Sequence, residues 1–190
     1  MKVDSSDSVD RTRFSRVPTE FLTPAEVEAI RGLLWTSCGD GEEGMTEEDW
    51  QHALGGAHFM LELDGEVVAH ASVVERELQI GGRSLRTGYV EAVATALHRQ
   101  AHGLGSQLMR EVDIYIRDRF ELGALGAGRR RFYERLGWVA WQGPSSVRTP
   151  DGARRTRAED GNILILRTPS SPELDLAAPI SCDWRAGDVW

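Results

Sequence analysis

Two groups of residues have the types and spacing that chemistry needs. The first is Gln100-Ala101-His102-Gly103-Leu104-Gly105, two glycines placed where the pattern turns from strand-like to helical. Glycine lets a backbone approach a ligand closely, and the unpaired N–H groups and dipole of a helix's first turn favour a pyrophosphate. The same spacing also serves a plain strand-to-helix turn. The second group is acidic. Residues 40–49 carry six carboxylates and no base, Glu91 interrupts an apolar run, and Asp188 stands two residues before the end. Carboxylates gathered on one rim suit a ligand with several ammonium groups, through charge-assisted hydrogen bonds. Each has a simpler reading. Asp49 stands three residues after Thr46 and can close a capping box. An acidic run is ordinarily a solvated surface loop, and Val189-Trp190 can simply dock the C-terminus.

The surrounding elements must position these residues. Thr23-Pro24-Ala25-Glu26 reads as a helix start, and Val27, Ile30, Leu33 and Leu34 give that helix an apolar face. Thr46 to Trp50 starts a second, short helix. Asp64-Gly65 and Gly81-Gly82 each divide two strand-like runs, predicting two hairpins over residues 58–74 and 78–94. Leu104, Leu108, Val112 and Ile116 then recur every four residues, the mark of an amphipathic helix. A short strand at 122–125, a compact helix at 129–136 and strands at 138–141 and 163–166 complete the pattern. Residues 144–161 read as a polar, mostly basic loop. The order indicates one α/β (α+β) domain over 17–190, after a flexible lead-in at 1–16.

Composition narrows the partners. The 190-residue chain carries a net charge of -8, which argues against nucleic acid as the main partner and suits a cationic one. Two cysteines, Cys38 and Cys182, make no disulfide framework, and the five histidines lack metal-ligand spacing, so no metal is expected. No apolar run is long enough for a membrane span, and the polar first residues lack a signal-peptide core. The expectation is a cytoplasmic protein.

The glycine loop, followed some thirty residues later by Phe132-Tyr133-Glu134-Arg135-Leu136-Gly137-Trp138, resembles the GNAT acetyltransferase superfamily. That resemblance implies a mixed, mostly antiparallel sheet flanked by helices and splayed open between the strand ending near Thr95 and the one at Leu122. It implies acetyl-coenzyme A as cosubstrate, held by Val93, Ala94 and Thr95 and by Gln100, Ala101, His102, Gly103, Leu104 and Gly105. Gln100 supplies no charge to the pyrophosphate, a part open to Arg99 or His102.

A closer similarity covers nearly everything from about Thr23 onward. Thr46-x-x-Asp49-Trp50, Leu54-Gly55-Gly56, Gly88-Tyr89-Val90-Glu91, Arg131-x-Tyr133, Gly143-Pro144-Ser145 and the ending Cys182-Asp183-Trp184-Arg185-Ala186-Gly187-Asp188-Val189-Trp190 resemble the aminoglycoside 2′-N-acetyltransferases of actinobacteria. By position, this implies substrate contacts at Glu43 (interchangeable with Glu42), Asp49, Glu91, Ala92, Glu159, Asp160, Asp188 and Trp190. Ala92 stands where the family pattern leads one to expect glycine. Glu91 is then the candidate base, Tyr133 the acid that protonates the leaving sulfur, and a backbone N–H near Val93 the oxyanion donor. The resemblance also suggests a homodimer and a role in antibiotic resistance. Two alternatives stand at this point: acetylation of another cationic amine (a polyamine, a peptide amine or a cell-wall amino sugar), and a non-catalytic acyl-coenzyme A-binding module.

Overall fold

The structure is a computed structural model and describes residues 12–37 and 44–190. Ten strands form one mixed sheet: β1 (Thr12–Pro18), β2 (Ala57–Leu63), β3 (Glu66–Ile80), β4 (Arg83–Thr95), β5 (Leu122–Gly126), β6 (Val139–Ala140), β7 (Ser145–Thr149), β8 (Gly152–Arg155), β9 (Ile163–Arg167) and β10 (Ile180–Asp183). Four helices accompany them: α1 (Pro24–Ser37), α2 (Glu47–His52), α3 (Leu104–Arg119) and α4 (Arg130–Glu134). The main path runs β6-β9-β5-β4-β3-β10-β7-β8, with β2 and then β1 added beside β3. Only β4–β5 and β10–β7 are parallel.

The two expected hairpins share one long strand. β3 runs fifteen residues without a break. One edge of it pairs with β4 along its length, while the other pairs with β2 near its start and with β10 at Gln79 and Ile80. Both turns fall at the Asp64-Gly65 and Gly81-Gly82 positions, where all four residues have positive φ.

β4 has two different halves. From Thr87 to Tyr89 it is paired on both sides, with β3 and in parallel with β5. Beyond Tyr89 the β5 pairing stops, although β4 continues to Thr95. This is the splay expected between Thr95 and Leu122. At the closed end, Gly88 and Gly123 are register partners with no room for side chains. A Cβ on Gly88 would lie 2.8 Å from the Phe120 ring, and one on Gly123 would lie 3.0 Å from Ile116. The last turns of α3 therefore press directly on the backbone of the pair. Its buried face, Leu108, Met109, Val112 and Ile116, keeps the helical period read from the sequence.

Two apolar cores result. One gathers α1, α2 and α3 against β2, β3 and the open half of β4. The other joins Tyr89, Leu122, Ala124, Ile163 and Ile165 to Trp141, Ile180, Cys182 and the terminal Trp190.

Three expectations need correction. The lead-in does not reach Arg16. Thr12 already begins β1, because Phe14 packs on Phe59 with ring centroids 6.3 Å apart and Arg16 lies over the Tyr115 ring. Residues 144–161 are not a loop but mostly the β7–β8 hairpin, closed at Pro150-Asp151. β8 is an edge strand with every residue exposed, so it shows no apolar alternation. β10 was also missed; its four residues are held by β3 and β7 rather than by their own pattern.

Candidate functional site

The open half of β4 is the centre of the site. Register with β3 jumps from Ser72–Glu91 to His70–Ala94, leaving Ala92 and Val93 without a partner in either neighbouring strand. Ala92 takes φ 51, in the left-handed region. There a β-carbon costs about 1–2 kcal/mol that glycine would not incur. The strain is accepted at the place where the sheet opens. Glu91, Ala92, Val93 and Thr95 are half-buried beside the gap, and Ala94 is buried.

On one side of the gap lies the glycine loop. Gly103 is the residue before α3, in the left-handed region at φ 81, and no side chain caps the helix. A Cβ on Gly103 would meet nothing within 4 Å, whereas one on Gly105 would lie 3.0 Å from Thr95 Oγ1. The first turn of α3 thus sits directly against the end of β4. Gln100 Nε2 donates to the Thr95 carbonyl (3.2 Å) and the Gln100 carbonyl is within 2.8 Å of His102 Nδ1. These bonds fold the loop on itself. Ala101, His102 and Gly103 face solvent, Leu104 is half-buried at the helix start, and Arg99 Nε is buried with no partner. An uncapped helix start, an exposed glycine and an unpaired guanidinium nitrogen together fit a phosphate-bearing ligand.

α4 approaches from the far side of this loop. The Phe132 ring would be 3.5 Å from a Cβ at Gly105, and Tyr133 meets Phe132 edge-on at 4.9 Å between centroids. Tyr133 is buried, in contact also with Trp138. Burial pushes its phenol up to about 12, so it keeps its proton at neutral pH.

On the other side lies the acidic group. Asp188 lies close enough to both Glu91 and Glu159 to disfavour their ionised forms. Burial pushes the Glu91 carboxyl above the ordinary carboxylate range, while Arg185 and Arg76 pull it back. Arg185 Nη1 donates to Glu91 Oε1 at 2.6 Å, and both side chains are under one-fifth exposed. Burial likewise raises Glu159. Arg185 was not among the expected site residues; its signal was its place inside the matched tail, between Asp183 and Asp188.

The tail reaches the site because several groups bind it down. Arg76 Nη2 donates to the carbonyls of Asp183 (3.1 Å) and Val189 (2.9 Å), and Arg185 Nε donates to that of Asp188 (2.7 Å). His52 Nε2 lies 2.8 Å from the Ala186 carbonyl. Trp190 is buried, its indole N–H donating to Thr156 Oγ1 (2.9 Å), and its backbone N–H meets Asp188 Oδ1 (3.1 Å). Its backbone carbonyl carbon sits against Gly126, 3.4 Å from where a Cβ would be. Trp190 is thus a core residue whose backbone carbonyl lies at the end of β5. The Tyr89 hydroxyl, 3.7 Å from that same Cβ position, is buried without a partner.

Two expected contacts are committed elsewhere. Asp49 forms both halves of the capping box with Thr46, and one oxygen, Oδ2, takes both of its Thr46 bonds (2.9 and 2.8 Å). The Asp160 carboxylate takes Arg155 (2.7 Å) together with the Ser145 N–H (2.9 Å) and hydroxyl (2.8 Å), tying the β7–β8 hairpin to the chain after it. These bonds hold it well below the usual carboxylate range. Glu42 and Glu43 lie outside the described residues. Among the described residues, no group of three or more His, Cys, Asp or Glu is placed to hold a metal ion, and no helix is long and apolar enough to cross a membrane.

With the geometry in place, comparison with known proteins is informative. Residues 18–140 match the acetyltransferase (GNAT) domain family. The chain is 43% identical over 153 residues to an aminoglycoside 2′-N-acetyltransferase of Mycolicibacterium fortuitum, covering 78% of each. Among solved structures, a GNAT family N-acetyltransferase of Escherichia coli in complex with CoA superposes with TM-score 0.65 at 15% identity, covering 93% of this chain and 92% of that one. A GNAT family acetyltransferase of Brucella melitensis in complex with acetyl-CoA gives TM-score 0.61 at 18% identity, over 93% and 97%.

Proposed function

The chain belongs to the GNAT acetyltransferase family, and on that premise we propose that it transfers the acetyl group of acetyl-coenzyme A to the 2′-amine of an aminoglycoside. The observation that carries the reading is that Arg185 in the tail bonds both Glu91 (2.6 Å) and the Asp188 carbonyl (2.7 Å), bringing these acids together at β4 just past the point where its pairing with β5 stops. The relative from M. fortuitum bears that activity in its name.

Acetyl-coenzyme A supplies a thioester whose carbonyl accepts a nucleophile and whose thiolate can leave. The chain's residues do the rest. The first turn of α3 and the loop from Gln100 to Gly105 receive the diphosphate, with Arg99 adding charge. The edge of Val93 to Thr95 that β5 leaves unpaired takes the extended pantetheine arm as a neighbouring strand would be taken. Asp188 and Glu159 bind ammonium groups, and Asp49 offers its remaining oxygen at the rim.

Glu91 receives a proton from the attacking ammonium, directly or through a water. A base must be ionised to act, so activity falls as pH drops through the raised Glu91 value. The Val93 N–H polarises the carbonyl. Tyr133, protonated at neutral pH, gives its hydrogen to the departing sulfur. Transfer is direct in this reading; among the described residues the one cysteine, Cys182, is buried and hydrogen-bonded to the Val189 carbonyl (3.2 Å). The expected homodimer, cytoplasmic location and role in resistance belong to this same reading.

The test is a mass-spectrometric screen with acetyl-coenzyme A against aminoglycosides bearing a 2′-amine, counterparts bearing a 2′-hydroxyl, and spermidine. Acetylation confined to the 2′-amine compounds is expected. Equal modification of the 2′-hydroxyl counterparts or of spermidine would move the substrate to another amine.

A further inference from the structure

Behind the open half of β4 lies a buried chain of polar groups that the chemistry above does not use. His70 Nδ1 lies 2.8 Å from the carbonyl oxygen of Ala92, its Nε2 lies 3.1 Å from His58 Nδ1, and His58 Nε2 lies 2.9 Å from Thr19 Oγ1. Both rings are fully buried, stacked at a tilt with centroids 5.3 Å apart. Burying two imidazoles in an apolar core is costly unless each nitrogen is paired. Here every one is.

The hydrogens along this chain are fixed by elimination. A carbonyl oxygen only accepts, so His70 Nδ1 carries the hydrogen and His70 Nε2 accepts. His58 Nδ1 must then donate, which leaves His58 Nε2 to accept; the single Thr19 hydroxyl hydrogen goes to it (2.9 Å) and not to the Gly56 carbonyl (3.1 Å), which already accepts the Thr19 N–H (2.9 Å). Thr19 Oγ1 in turn accepts the N–H groups of Gly55 (2.9 Å) and Gly56 (3.2 Å), anchoring the outer end where β1 gives way to α1. Neither ring needs a charge. Burial agrees, holding His58 down to about 4 and His70 down to about 3.

The inner end bonds to the strained residue of β4. Ala92 is the positive-φ bulge, and the Ala92–Val93 peptide has no partner in β3 or β5. All peptide bonds among the described residues are trans. In a trans peptide the C=O and the following N–H point in opposite directions. Tying the Ala92 carbonyl to the His70 ring therefore aims the Val93 N–H the other way, away from the His70–His58 chain.

We propose that the Thr19–His58–His70 chain is a positioning device that holds the Ala92–Val93 peptide so that the Val93 N–H faces the thioester carbonyl. His70 is a positioning residue here and touches no reacting atom. The inference rests on the acetyl-transfer reading for what the N–H serves, but the orientation of the peptide is a property of the chain alone.

The tests separate the two. In the full-length wild-type chain at neutral pH, ¹⁵N NMR of the imidazoles should show both His58 and His70 neutral with the hydrogen on Nδ1. A charged His70, or one protonated on Nε2, overturns the proposal without any variant. Among variants, Asn places its amide nitrogen as many bonds from the backbone as Nδ1, whereas Leu offers no donor. Loss of an oxyanion donor lowers kcat about a hundred- to a thousandfold, and H70L, which only misaims one, should lower it about ten- to a hundredfold. Both KM values should stay within about threefold, and H70N should keep kcat within about fivefold of wild type. The infrared carbonyl stretch of bound ¹³C-labelled acetyl-coenzyme A should shift to lower frequency in wild type and H70N, and less so in H70L. Wild-type kcat and an unaltered carbonyl shift in H70L, or an H70N variant as slow as H70L, would sink it. A wild-type chain that acetylates no amine would instead sink the reading it rests on; the NMR and the carbonyl shift of bound acetyl-coenzyme A would still decide this inference.

Discussion

The two sides of the open β4 are built from different materials. The coenzyme side is made of backbone: a helix start, an exposed glycine at φ 81 and a strand edge without a partner. The amine side is made of side chains that come from far apart, Glu91 on β4, Glu159 after β8 and Asp188 near the end. Backbone groups need only local sequence to be placed correctly. Side chains from distant segments need the whole fold, and here they also need a tail held down by Arg76, Arg185 and His52. The coenzyme side should therefore fail through affinity and local strain, and the amine side through rate and charge.

The largest expected effect is on the amine side. Glu91→Gln should lower kcat by about a hundred- to ten-thousandfold, the range for losing a positioned general base. Coenzyme affinity, measured by calorimetry, should not change. A Gln variant with wild-type rate at neutral pH would transfer the role of base to a water.

Next is the coenzyme side. Gly103→Val puts a β-branched residue into a left-handed conformation, a strain of about 1–2 kcal/mol. The space around the position is open, so the strain comes from φ and not from a clash. The KM for acetyl-coenzyme A should rise about tenfold or more, because that strain shifts the helix start by which the phosphates are held. A folded variant with unchanged coenzyme KM would remove this loop from the site.

Arg185→Met sharpens the amine side alone. It removes the cation 2.6 Å from Glu91 while burial remains. With its ionised form less favoured, Glu91 should titrate at higher pH than in wild type. The acid limb of the kcat/KM profile should move to higher pH. A limb that stays in place means Arg185 does not govern the base.

The smallest effect lies away from both sides. Asp113 on α3 accepts the Trp138 indole N–H (3.0 Å), and burial pushes its carboxyl up to about 6. That is above its value of about 4 in an unfolded chain. Folding therefore favours the protonated form, so this group's contribution is greatest below about pH 4 and is lost as pH rises through about 6. Asp113→Asn, which keeps the acceptor, should be more stable than wild type by up to about 2 kcal/mol at pH 7–8. The gain should vanish below about pH 4, and kcat should not change. Denaturant midpoints across that range check it.

What was legible in the sequence follows the same division. The α3 period, the two glycine turns and the Gly103–Gly105 loop are local signals, and each was found where the structure has it. β8 and β10 were missed because partner strands hold them, not an alternation of their own. The Pro150-Asp151-Gly152 turn could have exposed the β7–β8 hairpin. On the amine side, spacing alone could not separate Asp160, absorbed by Arg155 and Ser145, from its neighbour Glu159, which faces Asp188. Nor did it reveal Arg185 beside Glu91, since the two are 94 residues apart. Trp190 takes the anchoring reading: it is a core residue whose backbone packs on Gly126. Deleting it would empty part of the second core, so point substitutions at Asp188 test the tail more cleanly than truncation.

The most direct test of the two-sided site is amide hydrogen exchange with each ligand separately. Acetyl-coenzyme A should protect residues 93–95 and 99–106, and a 2′-amino aminoglycoside should protect residues 183–190 and 156–160. The two sets should share no residue except Glu91 and Ala92, which both ligands should protect in addition. Protection of one common set by both ligands, or coenzyme protection confined to α4 and β6, would contradict a site divided along the open edge of β4.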